Sequence, residues 1–447
     1  MEEPLLGKSN GPDRNAMLKL PCKVTGITVS GVRFTSKEFI QRLLQRAQEK
    51  TTHGELAEEL SRASGRLEQI GIFRAVRCEV DAGQKDDDVV ILVDVEEKGR
   101  HTVSTGTFVN EGEGNLEVSW TLRNFGISAE QVQSSVACGS SGSNGFRVEF
   151  VKPYITDNLS FQASAFENLK RIATPRSVGE KKTGFAMTLG QVEGSSSFTY
   201  EISRRSLAGA SQDDGWESKD MTSLKSSIMH TFLRDTQDNK ESPTRGWLIK
   251  NVLEVAGIGG LGCKFWKNEV YAQVHHSPWR EKSFLNSITL SLTGRFGVLQ
   301  TLGGDTSRYF DRFHMGGAWS LRGFKPRSVG PSFGHGYAGT VSVGGEAMAM
   351  VDASLSGDLP LPASLSRFTK ARFHVFGNVG NNVAVPSGPP VLTKCSQVFR
   401  DVRSAVGVGL LIPTPLGRLE INLCLPLRGS QADMDRASFV QIGLVPV

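Results

Sequence analysis

The sequence predicts a mainly β protein: a sixteen-stranded antiparallel transmembrane β-barrel preceded by one small β-α-α-β-β domain. Three observations carry this expectation. Helical spacing of apolar residues is confined to the first part of the chain, ending near Gly71. From His101 onward, period-2 alternation of apolar and polar residues dominates to the end. The 49 glycines recur inside and between the alternating segments, with neither a collagen period nor linker-like clustering, as bending, closely packed strands require.

Length and composition fit this division. A chain of 447 residues exceeds one ordinary soluble core, so at least two units are expected. The formal net charge of +5 is spread along the chain, with no basic stripe for nucleic acid. No window approaches the roughly 18 apolar residues of a transmembrane helix, whereas a lipid-facing strand needs only about 9–11 residues with alternate ones apolar. The start, Met1-Glu2-Glu3-Pro4, has neither the form of a secretory signal nor that of an Arg-rich transit peptide. The six cysteines (Cys22, Cys78, Cys138, Cys263, Cys395 and Cys424) contain no C-x-x-C pair and read as free structural thiols.

Residues 1–20 are polar and aperiodic and read as a mobile tail. The small domain is expected over 21–98. Val24, Ile27 and Val29 mark its first strand, and Gly31 begins the turn out. Thr35 to Glu38 has the form of a capping box, followed by Phe39, Ile40, Leu43, Leu44 and Ala47 at helical spacing. A second helix carries Leu56, Leu60, Ala63, Leu67 and Ile70 and ends at Gly71. Phe73 to Val80 and Val89 to Val95 then read as strands about the Asp86-Asp87-Asp88 turn.

The barrel is expected over 101–447. Leu116, Val118, Trp120 and Leu122 alternate with Glu117, Ser119, Thr121 and Arg123, and the same parity returns in Leu419, Ile421, Leu423 and Leu425. Counting such segments gives about sixteen, at some 21–22 residues per strand and loop. An even count lets the last strand meet the first in antiparallel pairing, which removes the edges that lipid does not tolerate. A soluble sandwich or propeller fits less well, because blade-like repeats are missing and the polar parity is rich in Ser, Thr, Gly and charge. The longest interruption, about 299–336, follows the eleventh candidate strand. It contains Arg308, Arg312, Arg322 and Arg327, and its aromatic content argues against disorder.

That loop reads Arg312-Phe313-His314-Met315-Gly316-Gly317-Ala318-Trp319-Ser320-Leu321-Arg322-Gly323-Phe324. In this it resembles the BAM/SAM superfamily of outer-membrane barrel-assembly proteins, whose sixth loop carries an aliphatic-Arg-Gly-Phe tetrapeptide after Gly-Gly. Asp238-Asn239 with Pro243-Thr244-Arg245-Gly246 resembles the family's Asp-Asn…Pro-Thr-x-Gly hairpin. Gly344-Gly345-Glu346 is similar to its twelfth strand, and Arg403 to Gly409 with Pro415-Leu416-Gly417-Arg418-Leu419-Glu420 to its penultimate hairpin. A single β-α-α-β-β module (polypeptide-transport-associated, or POTRA) before the barrel resembles the mitochondrial sorting and assembly machinery (SAM).

The resemblance implies that Leu321, Arg322, Gly323 and Phe324 form the loop-6 motif. An arginine folded into a barrel lumen must find a carboxylate, because an unpaired buried charge is costly. Glu346, on the lumen-facing parity of the next strand, is its expected partner. Gly323 would allow a tight turn, and Phe324 would wedge against the wall. The family's thirteenth strand often carries Phe-x-Asp-x-Gly. Here Phe376-Gly377-Asn378-Val379-Gly380 has Asn378, which accepts a hydrogen bond without charge. The last strand, Phe439 to Val447, begins the polar-x-Gly pattern of targeting signals at Gln441 and Gly443. Pro446 then falls where a ladder donor is expected.

Catalytic constellations are absent from the sequence. His275 and His276 are adjacent and would point to opposite faces, and neither Gly-x-Ser-x-Gly nor His-Glu-x-x-His occurs. Asp213-Asp214 reads as a solvated turn. No enzyme, metal or cofactor is expected. The resemblance implies an insertase in the mitochondrial outer membrane, with its POTRA domain in the intermembrane space. A lateral gate would open between the first and last strands, at Thr105, Thr107, Gln441 and Gly443. The alternatives are a protein-translocating or passive pore and an outer-membrane barrel enzyme. The implied partners are unfolded β-barrel precursors, metaxin-type SAM subunits, intermembrane-space chaperones or a cristae-organising complex, and the lipid bilayer, with no nucleic acid.

Overall fold

The computed structural model describes residues 18–445 except 86, 111–112, 157, 172–178, 193, 210–220, 241, 279–287, 334–340, 360–370, 385–390 and 415–416. Most of the expected tail, Asp86, Asp213-Asp214, Pro415, Leu416 and Pro446 lie outside the described residues. The chain divides into two compact units. One comprises Met1–Val103, Trp120–Gln133 and Phe150–Phe161; the other comprises Ser104–Ser119, Ser134–Glu149 and Gln162–Val447.

The N-terminal domain begins with β1 (Lys23–Ser30), α1 (Lys37–Leu43), a short continuation α2 (Gln45–Gln48) and α3 (His53–Gln69). It closes with β2 (Phe73–Ala82) and β3 (Asp88–Glu97), in the sheet order β1-β3-β2. β1 runs parallel to β3, which the helical crossover makes possible, and β2 pairs antiparallel to β3. Leu56, Leu60, Ala63 and Leu67 of α3 and Phe39, Ile40 and Leu43 of α1 are buried, as are Ile91 and Val93 of β3. Gly71 follows α3 with φ +80°, as its helix-ending position requires.

The first helix starts one residue later than the sequence suggests. Ser36, not Thr35, is its N-cap, with Oγ accepting from the Phe39 amide at 3.1 Å. The amides of Arg33, Phe34 and Thr35 are taken instead by the Glu97 carboxylate at 3.2, 2.9 and 2.9 Å. That long-range contact was not visible in a local capping pattern.

Sixteen strands form a second, antiparallel sheet. They begin β4 (His101–Asn110), β5 (Glu113–Arg123), β6 (Gln131–Gly139), β7 (Asn144–Thr156) and β8 (Leu159–Arg171). They continue as β9 (Gly179–Gln191), β10 (Ser196–Ala208), β11 (Thr222–Asp235), β12 (Gly246–Ala256), β13 (Phe265–His276) and β14 (Thr289–Thr301). A long loop follows, carrying the two-residue strands β15 (Ser332–Phe333) and β16 (Val341–Ser342). The sheet resumes with β17 (Ala347–Asp358), β18 (Arg372–Val383), β19 (Arg403–Thr414), β20 (Gly417–Arg428) and β21 (Val440–Val445). Each strand pairs with its neighbours in chain order. β4 and β21 end that order and are not paired with each other among the described residues, so the sheet is not closed.

The two faces of this sheet invert the pattern of a soluble protein. Leu116 and Val118 on β5, Val351 and Leu355 on β17, and Leu423, Leu425 and Leu427 on β20 are exposed. On the opposite parity Asp352, Glu420, Asn422 and Gln441 are buried. An apolar face left bare over strand after strand, with the charge tucked inside, is what a lipid-facing sheet needs. No described helix is long and apolar enough to cross a membrane.

Candidate functional site: the long loop and the last strand

The loop between β14 and β17 folds back onto the inner face of the sheet. Its Phe313, Met315, Leu321, Phe324 and Val329 join Phe265, Leu299, Met348, Met350 and Ala405 of the strands in one buried apolar cluster. Polar contacts tie the loop to distant strands on both sides. Arg327 bonds Glu180 on β9 at 2.7 Å, and Asp311 accepts from Arg205 on β10 at 2.6 Å. The sheet therefore curves around the loop, which spans from β9 and β10 to β21.

Arg322 lies at the centre of this packing. Nη1 donates to Asp352 Oδ2 on β17 at 2.7 Å and Nη2 to Glu420 Oε2 on β20 at 3.0 Å. Its guanidinium also stands over the Phe376 ring, 4.9 Å from the centroid. Glu420 is shared, since Arg418 reaches its Oε1 at 2.7 Å. Two arginines thus face two carboxylates, which removes the penalty of an unmatched buried charge.

The expected pairing of Arg322 with Glu346 is corrected by this geometry. Glu346 is the residue just before β17, at the root of the loop rather than on the strand, and it bonds Lys394 Nζ at 2.6 Å. Lys394 is fully buried on the helix α4 (Val391–Val398), and it also donates to the Leu299 carbonyl at 3.0 Å. Ser307 Oγ donates to the other Glu346 oxygen at 2.6 Å and accepts from Arg312 Nε at 2.9 Å. Lys394 therefore fastens both roots of the loop, Leu299 and Glu346, to α4.

Asn378 also departs from expectation. It is the cross-strand neighbour of Asp352 and is buried, yet neither side-chain amide atom has a hydrogen-bond partner among the described residues. It does not join the arginine. Sequence reasoning missed Asp352, Glu420 and Lys394. The first two carried a usable signal, each being a carboxylate on the inner parity of an otherwise apolar-alternating strand.

Gly323, Leu321 and Phe324 sit where the loop meets the end of the chain. Leu321 and Phe324 are completely buried. Gly323 adopts φ +90°, and a Cβ there would lie 2.7 Å from Ala405 Cβ. Its amide donates to Gln441 Oε1 at 3.2 Å, while Gln441 Nε2 donates to the Phe324 carbonyl at 2.7 Å. The Ser438 amide donates to the Gly323 carbonyl and the Lys325 amide to the Arg436 carbonyl, at 2.9 and 3.0 Å. Gly443 allows a close approach, because a Cβ would fall 2.8 Å from Ala318 Cβ and 2.9 Å from Trp319 Nε1. A cavity of about 510 Å3 lies here, lined by Trp319, Arg312, Arg327, Gln441 and Gly443 among others.

Gln441 and Gly443 thus face inward against the loop, whereas Thr105 and Thr107 on β4 are exposed on the parity of Val103. The outward counterpart on β21 is Ile442, which is exposed.

The hairpin between β11 and β12 is built around Asp238. Its carboxylate accepts from the Thr244 hydroxyl at 2.5 Å and from the Thr244 and Arg245 amides at 2.9 and 3.1 Å. Burial alone would raise its pKa, but these donors outweigh it and hold Asp238 below the ordinary aspartate range.

The sequence profile of the Omp85 superfamily domain matches residues 124–444. A SAM50-like protein of Schizosaccharomyces pombe is 28% identical over 93% of this chain and 89% of its own length. The human sorting and assembly machinery component 50 homolog is 27% identical, over 83% of this chain and 79% of its own. Among solved structures, BamA from Haemophilus ducreyi lacking POTRA domains 1–3 superposes with a TM-score of 0.75 at 17% identity. It covers 94% of this chain and 84% of the BamA chain. CdiB from Escherichia coli superposes with a TM-score of 0.56 at 13% identity, over 94% and 75% of the two chains.

Proposed function

The chain belongs to the Omp85 superfamily, and from that premise we propose that it inserts β-barrel precursor proteins into the mitochondrial outer membrane through a lateral gate between β4 and β21. The observation that carries the reading is the pair of end strands. Among the described residues each has one hydrogen-bonded neighbour in the sheet, and β21 is held from inside by the long loop. A strand edge whose amides and carbonyls are free can template an incoming strand by β-augmentation. The driving force is burial of client apolar surface in lipid together with satisfaction of its backbone groups, so no covalent chemistry is required.

The proposed division of labour follows the contacts. Arg322, with Asp352 and Glu420, holds the loop; Leu321 and Phe324 fill the space beneath it; Gly323 allows its turn; and Gln441 and Gly443 receive it on β21. Thr105 and Thr107 lie on the opposite gate strand. The β-α-α-β-β domain (residues 21–98) fits a POTRA domain, which we place in the intermembrane space. We further propose metaxin-type subunits, intermembrane-space chaperones or a cristae-organising complex as partners; the human relative, by name a component of a sorting and assembly machinery, supports a multi-subunit setting. A standing pore is disfavoured, because the loop packs across the inner face from β9 to β21.

The test joins Thr105→Cys to Ile442→Cys, both exposed on the outer parity, in a chain otherwise free of cysteine. Oxidation in proteoliposomes should block insertion of a radiolabelled barrel precursor, and reduction should restore it. Full insertion through the locked seam would overturn the gate.

A further inference from the structure

We propose that Phe34 of the N-terminal domain, with Phe125 and Ile127 of the turn between β5 and β6, forms a membrane-contact tip that dips into the bilayer interface beside the end of β5. This goes beyond the insertase reading and does not depend on it. All the residues belong to one compact unit.

Phe34, Phe125 and Ile127 are 43%, 60% and 66% exposed, so large apolar side chains stand bare on both of the segments that meet here. Hydrogen bonds and a cation–π contact, rather than proximity in sequence, join the two segments that bear them. The Ser36 amide donates to the Ile127 carbonyl at 2.8 Å. Arg100 Nη2 donates to the Asn124 carbonyl at 3.0 Å, and its guanidinium stands over the Phe34 ring at 5.1 Å. The Phe34 loop is rigid, because three successive amides, from Arg33 to Thr35, converge on the Glu97 carboxylate. The turn bearing Phe125 is pinned in turn by the Phe125 amide on the Glu130 carbonyl at 2.8 Å.

The occupant follows from continuity with the lipid-facing surface. Trp120 on β5 stacks on His101 of β4 with ring centroids 5.8 Å apart, and Val103 beside them is 67% exposed. Aromatic rings at the end of an apolar strand face mark the level of the headgroups. Phe125 and Ile127 continue that surface past the strand end, and Ile155 and Leu159 do the same around the next turn. Arg33 and Lys37, exposed on either side of Phe34, suit the phosphates of such an interface.

The experiment uses the full chain in proteoliposomes of phosphatidylcholine and an anionic phospholipid, without partner subunits. An environment-sensitive fluorophore is placed singly at Phe34→Cys, Ile127→Cys, Leu116→Cys as a lipid-facing standard, and Glu58→Cys as an aqueous standard, with native cysteines replaced. A shallow acyl-chain spin label should quench the probe at 34 and 127 as it does at 116, with loss of the iodide quenching seen at 58. Iodide quenching at both positions equal to that at 58, with no effect of the lipid quencher, would overturn the proposal. Having two independent sites guards against one substitution disturbing the fold, and circular dichroism of each variant checks it. Client insertion is scored separately, so failure of the gate leaves this result standing.

Discussion

Replacing Arg322 by Met removes a charge from a site where two carboxylates were built to receive it. Asp352 and Glu420 are 8% and 1% exposed at the side chain. Among the described residues Asp352 has no second ion-pair partner, whereas Glu420 keeps Arg418. Breaking one side of a buried pair costs about 3–5 kcal/mol, because the remaining charge is left without compensation. The retained Arg418 contact places Arg322→Met near the lower end, about 3 kcal/mol. Arg322→Lys should recover roughly half of that, since one ammonium cannot span two carboxylates as a guanidinium does. The assay is reversible urea unfolding in detergent micelles, paired with limited proteolysis of the long loop. Met should expose the loop to cleavage before the strands unfold. Adding Asp352→Asn to Arg322→Met should cost less than the sum of the two, whereas adding Glu346→Gln should be additive. A loss below about 1 kcal/mol with the loop still protected, or coupling to Glu346 instead of Asp352, would refute the assignment.

Three further outcomes are expected. Lys394→Met and Glu346→Gln should each destabilise by about 3–5 kcal/mol, and the double variant by clearly less than their sum, in the same urea assay. Gly443→Leu should push the loop off β21 at a cost of about 1–3 kcal/mol, seen as faster hydrogen exchange at the Gly323 amide. The contribution of Asp238 to its hairpin should be fully present above the ordinary aspartate pKa and lost as pH falls through its lowered folded-state value. Exchange of the Thr244 and Arg245 amides, corrected for intrinsic pH dependence, should therefore quicken on acidification, and Asp238→Asn should remove that dependence.

Much of the fold was legible because both kinds of periodicity survive packing. Leu56, Leu60, Ala63 and Leu67 are buried on one helix face as their spacing requires, and Leu423, Leu425 and Leu427 share one bare strand face. The Ser36 cap was missed because Thr35 is drawn away by Glu97, some sixty residues on, which no local pattern records. The loop motif was legible as a motif, but its partner was not. Glu346 is near in sequence, whereas Glu420 lies 98 residues from Arg322. The choice depends on how the loop crosses the sheet, a tertiary fact. Lys394 was hidden for a different reason. It sits on a short helix in a connection that carries no strand alternation, and only its burial reveals it.

The two carboxylate sites and the last strand belong to one physical problem. Among the described residues β21 has six residues and one strand neighbour, so its ladder alone holds it weakly. The loop supplies the missing support from the inner side, where Gly323 and Phe324 bond the inward Gln441, while Gly323 and Lys325 bond Ser438 and Arg436 just before the strand. An edge can then keep its backbone donors free without fraying, because it is steadied perpendicular to the direction in which it would pair. Loosening the loop at Arg322 or at Lys394 should therefore loosen β21 as well. Both substitutions should lower the efficiency with which Thr105→Cys and Ile442→Cys cross-link, even though neither arginine nor lysine lies on that strand.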